Sequence, residues 1–518
     1  MYDFVDLSLR HILKLLIAQS LNFFVSTDKI KNSYLSFNLT CTEMRLLVFL
    51  AVLGTSLALR GSKKMINPPE TVDKAQFDEM WYDQKLDHFD ITGSPLWRQR
   101  YWYNFAHYEE GGPALIMIGG EGEASPGWLN YGIWTKYAQE NNAALFLLEH
   151  RFYGQSHPTE DMATENMKYL SSRQALEDLA TFMTSMSMTH NITGPWVSFG
   201  GSYPGSLSAW LKLKYPHLLA GAVSSSGPLN AKLDFHEYLG VVKSALDTTG
   251  AGCNEAITGA LEAIETLLAD EFSWNLLSEM FKTCKPLTGN SKDVKSFVEL
   301  LIDNLAGIVQ YNGLLEMDIF EVCDIMRDES YGEPIERFAK VNSLSLTING
   351  AECLDHEYSS FLALLTDTSF AGEGVGWRQW IWQTCTEFGW YQTTNQPEEV
   401  YGRLLDLEFF ESWCADAFSE LDWTHEKLEQ EMIDTNTEYG GFYPVVNNVV
   451  FVHGSIDPWH AMGVLEDLSE SATSIFIEGT SHCNDMYSNS PGDSEGLVEA
   501  REKIGVLVNK WIEEAAMP

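Results

Sequence analysis

At 518 residues the chain is longer than one simple domain, and its 45% hydrophobic and 12% aromatic content supplies a large packed core, so at least two structural units are expected. The formal net charge of −40 repels phosphate backbones and anionic bilayers, which excludes nucleic acid as a ligand class. Such an excess of carboxylates suits an acidic compartment, where part of it protonates and the self-repulsion relaxes.

Near the N-terminus, Met44 and Arg45 precede the apolar run 46–53, which is followed by Gly54, Thr55 and the small-residue stretch Ser56-Leu57-Ala58. This is the n-region, h-region and cleavage pattern of a secretory signal, so residues 44–58 are read as a signal peptide. The run is too short to cross a bilayer, and no stable membrane anchor is expected. Residues 1–43 are read as a non-native or extension segment upstream of a start at Met44. The sequon Asn191-Ile192-Thr193 fits a glycosylated luminal loop. Of the eight cysteines, Cys253, Cys284, Cys323, Cys353, Cys385 and Cys414 fall in one stretch without metal-site spacing. They are expected to form disulfides in an oxidising compartment, which makes the protein secreted or lysosomal.

From residue 113 onward, short strands that are apolar throughout alternate with helices. Strands are predicted at 113–118, 144–148, 196–199 and 221–225, with helices at 174–186 and 206–215. Strands of this kind belong to a parallel sheet covered on both faces. Over 235–425 strand signals fade and amphipathic helices such as 255–268 and 296–308 take over. Strands return at 449–452 and 474–477, and a helix is predicted at 495–514. The expected fold is α/β, an α/β-hydrolase built from both ends of the chain (59–234 and 426–518), with a disulfide-stapled helical cap inserted at 235–425.

Chemistry enters where strand 196–199 runs into Gly200-Gly201-Ser202-Tyr203-Pro204-Gly205. A serine between small residues at a strand-to-helix turn is a nucleophile elbow, although Pro204 stands where the second glycine of Gly-x-Ser-x-Gly belongs. Strand 449–452 leads to Asp457-Pro458-Trp459, and strand 474–477 leads to His482. The order Ser, Asp, His, each in a loop after a strand, is that of a hydrolase triad, and the spacing from Asp457 to His482 leaves room for one helix. Ser202 is thus the candidate nucleophile, His482 the base and Asp457 its orienting acid. His453 and His460 are rivals for the base, too close to the acid in sequence to fit this layout. The oxyanion donors are expected from Tyr203 and from the turn Gly119-Gly120-Glu121-Gly122-Glu123, at Gly122 or Glu123.

Taken together, the blocks Gln84-Lys85-Leu86-Asp87-His88-Phe89, Gln99-Arg100-Tyr101, Glu121-Gly122, Glu149-His150-Arg151-Phe152-Tyr153-Gly154, Gly200-Gly201-Ser202-Tyr203, Cys385-Thr386-Glu387-Phe388-Gly389, Asp457-Pro458-Trp459 and His482-Cys483 resemble the prolyl carboxypeptidase family of serine peptidases. The Gly-Gly-Glu-Gly turn is most similar to its thymus-specific serine protease branch. The resemblance implies an exopeptidase cleaving after proline, acting on peptides without a metal or organic cofactor, and leaves a homodimer open. It also implies the pairs Cys385 with Cys414, Cys253 with Cys323 and Cys284 with Cys353. Trp459 and Trp390 become walls for a proline-sized pocket, and Glu121 a clamp for a substrate amino group. One departure is Cys483, where other members carry a second histidine, so the choice between dipeptidyl peptidase and carboxypeptidase direction stays open. A lipase or carboxylesterase, or an inactive binding protein on the same fold, are the competing readings.

Overall fold

The strands at the centre of the sequence are continuous runs of aliphatic residues because both faces of the sheet are covered. Strands β1 (Met80–Lys85), β2 (Leu96–Asn104), β3 (Ala114–Ile118), β4 (Ala144–Leu148), β5 (Trp196–Gly201), β6 (Leu219–Ser225), β7 (Lys232–Asp234), β8 (Gly389–Tyr391), β9 (Val449–Gly454) and β10 (Ala472–Ile477) follow one another along the chain. Every residue of β3, β4, β5 and β9 is buried. The computed structural model describes residues 67–69, 72, 77–372, 374–396 and 401–517. The signal-peptide and extension readings, 44–58 and 1–43, lie outside the described residues.

Eight strands form one sheet in the order β1-β2-β4-β3-β5-β6-β9-β10, and β7 pairs with β8 in a separate two-stranded ribbon. Strand β2 runs antiparallel to both β1 and β4, whereas the pairings from β4 through β10 are parallel. This order, with an antiparallel second strand, is the α/β-hydrolase topology. The reversal of strand order around β3 and β5 brings the carboxyl ends of the central strands together at a crevice, where ligands bind open α/β sheets. The first two strands were not predicted. Their sequences, MWYDQK and LWRQRYWYN, mix charged and aromatic residues, because β1 is an edge strand and only partly covered.

Helices α1 (Ser172–Thr189), α2 (Tyr203–Lys214), α3 (Ser291–Gln310) and α4 (Glu495–Ala516) have readable starts. Ser171 caps α1 by accepting from the Gln174 amide, Asn290 caps α3 from the amides of Lys292 and Asp293, and Ser494 caps α4 from Leu497. Helix α2 begins three residues earlier than predicted, because Pro204 sits in its first turn, where a missing N–H is tolerated. Trp134, Tyr137, Phe199, Ile504 and Trp511 belong to the core on one face of the sheet, while Trp210, Leu176 and Phe182 belong to the larger core that continues into the helices inserted between β6 and β9.

Strands β6 and β9 are hydrogen-bonded neighbours, so residues 226–448 make one long excursion from the sheet and return to it. Among the described residues its regular elements are helices apart from β7 and β8, and it carries the disulfides Cys253–Cys323, Cys284–Cys353 and Cys385–Cys414. The first two interleave in sequence and tie distant helices together, which removes conformational freedom from the unfolded chain. A second expectation fails between β9 and β10. Their connection holds only a short 3₁₀ turn, Pro458–Met462, rather than a helix. Asp457 caps that turn, and Gly463 ends it.

Candidate active site

The elbow is built by steric necessity. Ser202 has φ 65° and ψ −135°, a combination that costs a non-glycine residue of order 1–3 kcal/mol and persists only where neighbours enforce it. Its N–H donates to the Ser225 carbonyl at 2.9 Å, and its own carbonyl accepts from Gly205 and Ser206 as α2 begins. A Cβ on Gly200 would lie 2.0 Å from the Pro204 carbonyl oxygen, so glycine is required two residues before the serine. Two residues after it, Pro204 is tolerated because its ring meets Gly120: a Cβ there would lie 2.3 Å from Pro204 Cγ. The small-residue requirement of the missing motif glycine has moved to the facing turn.

His482 Nδ1 donates to Asp457 Oδ1 at 2.8 Å, with both side chains buried, and the same oxygen accepts the Trp459 amide at 3.0 Å. Burial pushes the Asp457 carboxyl up, but the His482 imidazole beside it outweighs that and holds it below its ordinary value. With Nδ1 carrying the proton, Nε2 is left with a free lone pair, which is the tautomer a general base needs. Nε2 is buried and makes no hydrogen bond to another protein atom, so the structure does not join it directly to Ser202. Nucleophile–base hydrogen bonds commonly tighten only when substrate is bound.

The end of β6, at Ser225 and the following Ser226, ties the Ser202 turn to the loop that carries His482 and Cys483. The Ser225 carbonyl that receives the Ser202 amide also receives the Cys483 thiol at 3.7 Å, and the Ser226 hydroxyl accepts the Cys483 amide at 2.9 Å. Burial pushes the Cys483 thiol well above its ordinary value, so it stays neutral and packs as a small apolar group. The rival histidines are placed differently, and neither ring nitrogen of His453 has a hydrogen-bond partner. His453 is buried under Gly463, its pKa lowered to about 4 by burial, and His460 Nδ1 lies 3.1 Å from the Gly454 carbonyl.

Tyr203 is the first residue of α2, so its N–H has no acceptor within the helix and points from the same end as Ser202. Its phenol is locked: Tyr153 donates to Gln383 Oε1 at 2.7 Å, Gln383 Nε2 donates to the Tyr203 hydroxyl at 3.0 Å, and that hydroxyl lies 3.0 Å from His150 Nε2. His150 Nδ1 donates to the Arg151 carbonyl at 2.7 Å, which makes Nε2 the acceptor, and burial lowers the ring's pKa to about 4. The facing turn, residues 119–123, closes on itself. The Gly122 amide bends back to the Gly120 carbonyl at 2.9 Å and is used inside the turn, because the chain reverses within three residues there. The Glu123 side chain is exposed and pairs with Arg100.

The block Glu149-His150-Arg151 proves to be scaffold. Glu149 is fully buried, receives Arg100 through two hydrogen bonds and accepts the Ala124 amide at 3.1 Å, so it fixes the turn facing the elbow. Arg151 grips Asp178 with two bonds of 2.6 Å and donates to the carbonyls of Lys85, Leu86 and Tyr169. His88 reaches the same Asp178 at 2.7 Å.

A cavity of about 240 Å³ opens beside Ser202 and is lined from both the sheet side and the inserted helices, with Glu121, Trp459 and Trp390 all in its wall. Trp390 and Trp459 meet edge to face with centroids 5.6 Å apart. Sequence reasoning missed Gln310, at the end of α3. Its side-chain oxygen accepts from Tyr238 at 2.7 Å and from Trp459 Nε1 at 3.0 Å, and its backbone carbonyl accepts the His482 amide at 3.0 Å. No pattern in the sequence signals a contact between residues so far apart. Asn191 is exposed.

A serine on a strained turn at the carboxyl end of β5 and a buried His–Asp pair in the loops after β9 and β10, on a sheet of this topology, define a hydrolase of the α/β type. The serine carboxypeptidase S28 profile matches residues 84–504. The chain is 34% identical to the thymus-specific serine protease of Homo sapiens, over 84% of this chain and 87% of that one. It is 27% identical to the lysosomal Pro-X carboxypeptidase of Mus musculus, over 91% of this chain and 98% of that one. The chain belongs to the serine carboxypeptidase S28 family. It is a serine exopeptidase, and its substrates are peptides.

Proposed function

We propose that Ser202, His482 and Asp457 form the catalytic triad of an exopeptidase that cleaves after proline in the secretory pathway or its lysosomal branch. The strained backbone of Ser202 at the wall of the cavity carries this reading, since such outliers cluster at active sites, where the strain presents a side chain to the ligand. Ser202 Oγ attacks the scissile carbonyl as His482 Nε2 takes its proton, the C–N bond breaks as that proton passes to the leaving amine, and an ester on Ser202 remains. Water deprotonated by His482 then attacks the ester and frees Ser202. Asp457 keeps the imidazole in one tautomer and stabilises its cationic form. The Tyr203 amide, with a second donor from the turn 119–123, meets the developing oxyanion.

Preference for proline rests on Trp390 and Trp459, whose rigid faces suit a compact ring that offers no N–H. The relative named for Pro-X cleavage points the same way. The helices of the excursion serve as a cap over the site. The three disulfides favour an oxidising compartment. Mass spectrometry of products from a peptide library with proline at varied positions, at about pH 5, tests the reading. Cleavage after proline near one terminus, absent in Ser202→Ala, is expected. Products that ignore proline, or persist in the variant, reject it.

A further inference from the structure

One stretch of the excursion, 377–391, supplies Trp377, Trp380, Thr384, Trp390 and Tyr391 to the wall of the Ser202 cavity. Its backbone is irregular. A helix over Trp377–Gln383 passes into a single π-helical turn, Thr384–Phe388, after which Gly389 and Trp390 have φ 66° and 58°. A tryptophan at positive φ is strained and holds that conformation only where its surroundings enforce it. The stretch is fastened to the sheet body by side chains: Gln379 Nε2 donates to the Phe152 carbonyl at 2.9 Å, and Trp382 Nε1 donates to the Leu170 carbonyl at 3.1 Å.

Glu387 is the ionisable member of this fastening. Its two oxygens accept the Ser172 amide at 2.9 and 3.1 Å, and Oε1 also accepts the Ser172 hydroxyl, which in turn accepts from Tyr439 at 2.8 Å. Ser172 is the first residue of α1, so its amide has no acceptor within the helix and the Glu387 carboxyl takes that place. Tyr439 is the last residue of the helix His425–Tyr439. Three segments thus meet at one buried carboxyl: the start of α1, the cavity wall and the final helix of the excursion. A cleft of about 350 Å³ borders the junction on the far side from Ser202 and gives protons a path to it. Lys168 and Arg173 line this cleft beside α1, and Glu431, Asp434 and Glu438 line it from the helix His425–Tyr439. Burial pushes Glu387 up to about 7 despite its donors, and Glu431 adds repulsion in the same direction.

We infer that Glu387 is a positioning residue for the cavity: its neutral form docks the stretch 384–391 against α1, and its ionisation loosens that wall and weakens substrate binding. The inference rests on the reading of this cavity as the peptide site. A carboxyl that is harder to ionise when docked favours docking while it is neutral, so docking weakens as pH rises from the ordinary carboxylate range toward about 7 and levels off above it. Trp390 lies three residues after Glu387 and stands in the wall, so the loosening is felt where substrate binds. Ser202, Asp457 and His482 are carried by other loops, so the chemical step is affected less.

The test measures kcat and KM for a proline-containing peptide from the library experiment between about pH 5 and 8.5, with wild type, Glu387→Gln and Ser172→Ala, beside amide hydrogen exchange of 384–391 in the same proteins. Comparing proteins at one pH cancels the titration of the triad, of the substrate and of exchange itself. The KM of wild type divided by that of Glu387→Gln is expected to rise by about tenfold from pH 5 to 7.5, while the kcat ratio stays within about threefold. The ratio of exchange rates in 384–391 rises with it. Ser172→Ala removes a hydroxyl that favours the ionised carboxyl, so the KM profile must level off at a higher pH than in wild type, a shift that can be read even if Glu387→Gln does not fold. A KM ratio that stays constant across pH, or a KM ratio that rises without the exchange ratio, overturns the inference. Equal cleavage by Ser202→Ala, with an exchange ratio that still rises, overturns the reading of the site and leaves the docking role of Glu387 standing.

Discussion

The backbone N–H of His482 donates to the carbonyl of Gln310 at 3.0 Å, so the loop that carries the proposed base is pinned by the end of a helix from the inserted segment. The same residue holds Tyr238 and Trp459 through its side-chain oxygen. The helical insertion and the triad loops are thus one mechanical unit.

Replacing Gln310 by alanine leaves two buried donors without an acceptor, at about 1–3 kcal/mol each. The expected result is a lower melting temperature and kcat/KM reduced by about tenfold, with KM carrying much of the change because Trp459 lines the cavity. Steady-state kinetics beside thermal unfolding check this. An unchanged KM would mean that Trp459 is positioned by its other neighbours.

Asp457→Asn keeps the shape of the acid but alters which imidazole nitrogen carries the proton. A loss on the order of 10⁴ in kcat is expected, with KM near the wild-type value. A loss of tenfold or less would show that His482 keeps its tautomer without the carboxylate.

Gly120→Ala places a methyl group 2.3 Å from Pro204 Cγ and must displace the turn facing the elbow. We expect kcat to fall by about 100-fold, the scale of losing one oxyanion donor. Adding Pro204→Ala removes Cγ and Cδ, leaving only the contact at 3.8 Å, and should restore part of the activity. If the double variant is no better than the single one, the complementarity between Gly120 and Pro204 is not what shapes the site.

Stability responds to pH through buried groups of opposite sign. Burial raises Glu387 to about 7 and Asp485 to about 6, so the folded state holds protons that the unfolded state has lost, and these groups destabilise the protein as pH rises through those values. His150 and His453, lowered to about 4 by burial, act the other way: their contribution is present above the unfolded value of 6.5 and is lost as pH falls toward 4. Glu387→Gln removes one term. The stability of the variant relative to wild type should increase by about 3 kcal/mol between pH 4.5 and 7.5. Unfolding measured across that range checks the sign, and a constant difference would show that Glu387 titrates normally.

The sequence carried the sheet well where burial is two-sided. Strand 144–148 matches β4 residue for residue, and the order of Ser202, Asp457 and His482 was readable because each follows a strand. Strand β1 escaped because its edge position permits polar residues, and β2, paired on both sides, because Arg98, Gln99 and Arg100 interrupt it, so no continuous apolar run marks either. The disulfide pairs entered through family resemblance, since six cysteines allow many pairings. The roles of Glu149, His150 and Arg151 were hidden for a different reason. A buried charge network looks in sequence like a catalytic block, and only the partners Arg100, Tyr203 and Asp178 reveal it as support. Gln310 lies far from His482 in the chain, and such contacts leave no local pattern.

Ser202 is proposed as a nucleophile activated by His482. Labelling the protein with a fluorophosphonate probe and mapping the adduct by peptide mass spectrometry tests it most directly. A single adduct on Ser202 is expected, forming in the wild type and disappearing in His482→Ala. An adduct on another serine, or labelling of Ser202 that is indifferent to His482, would contradict it.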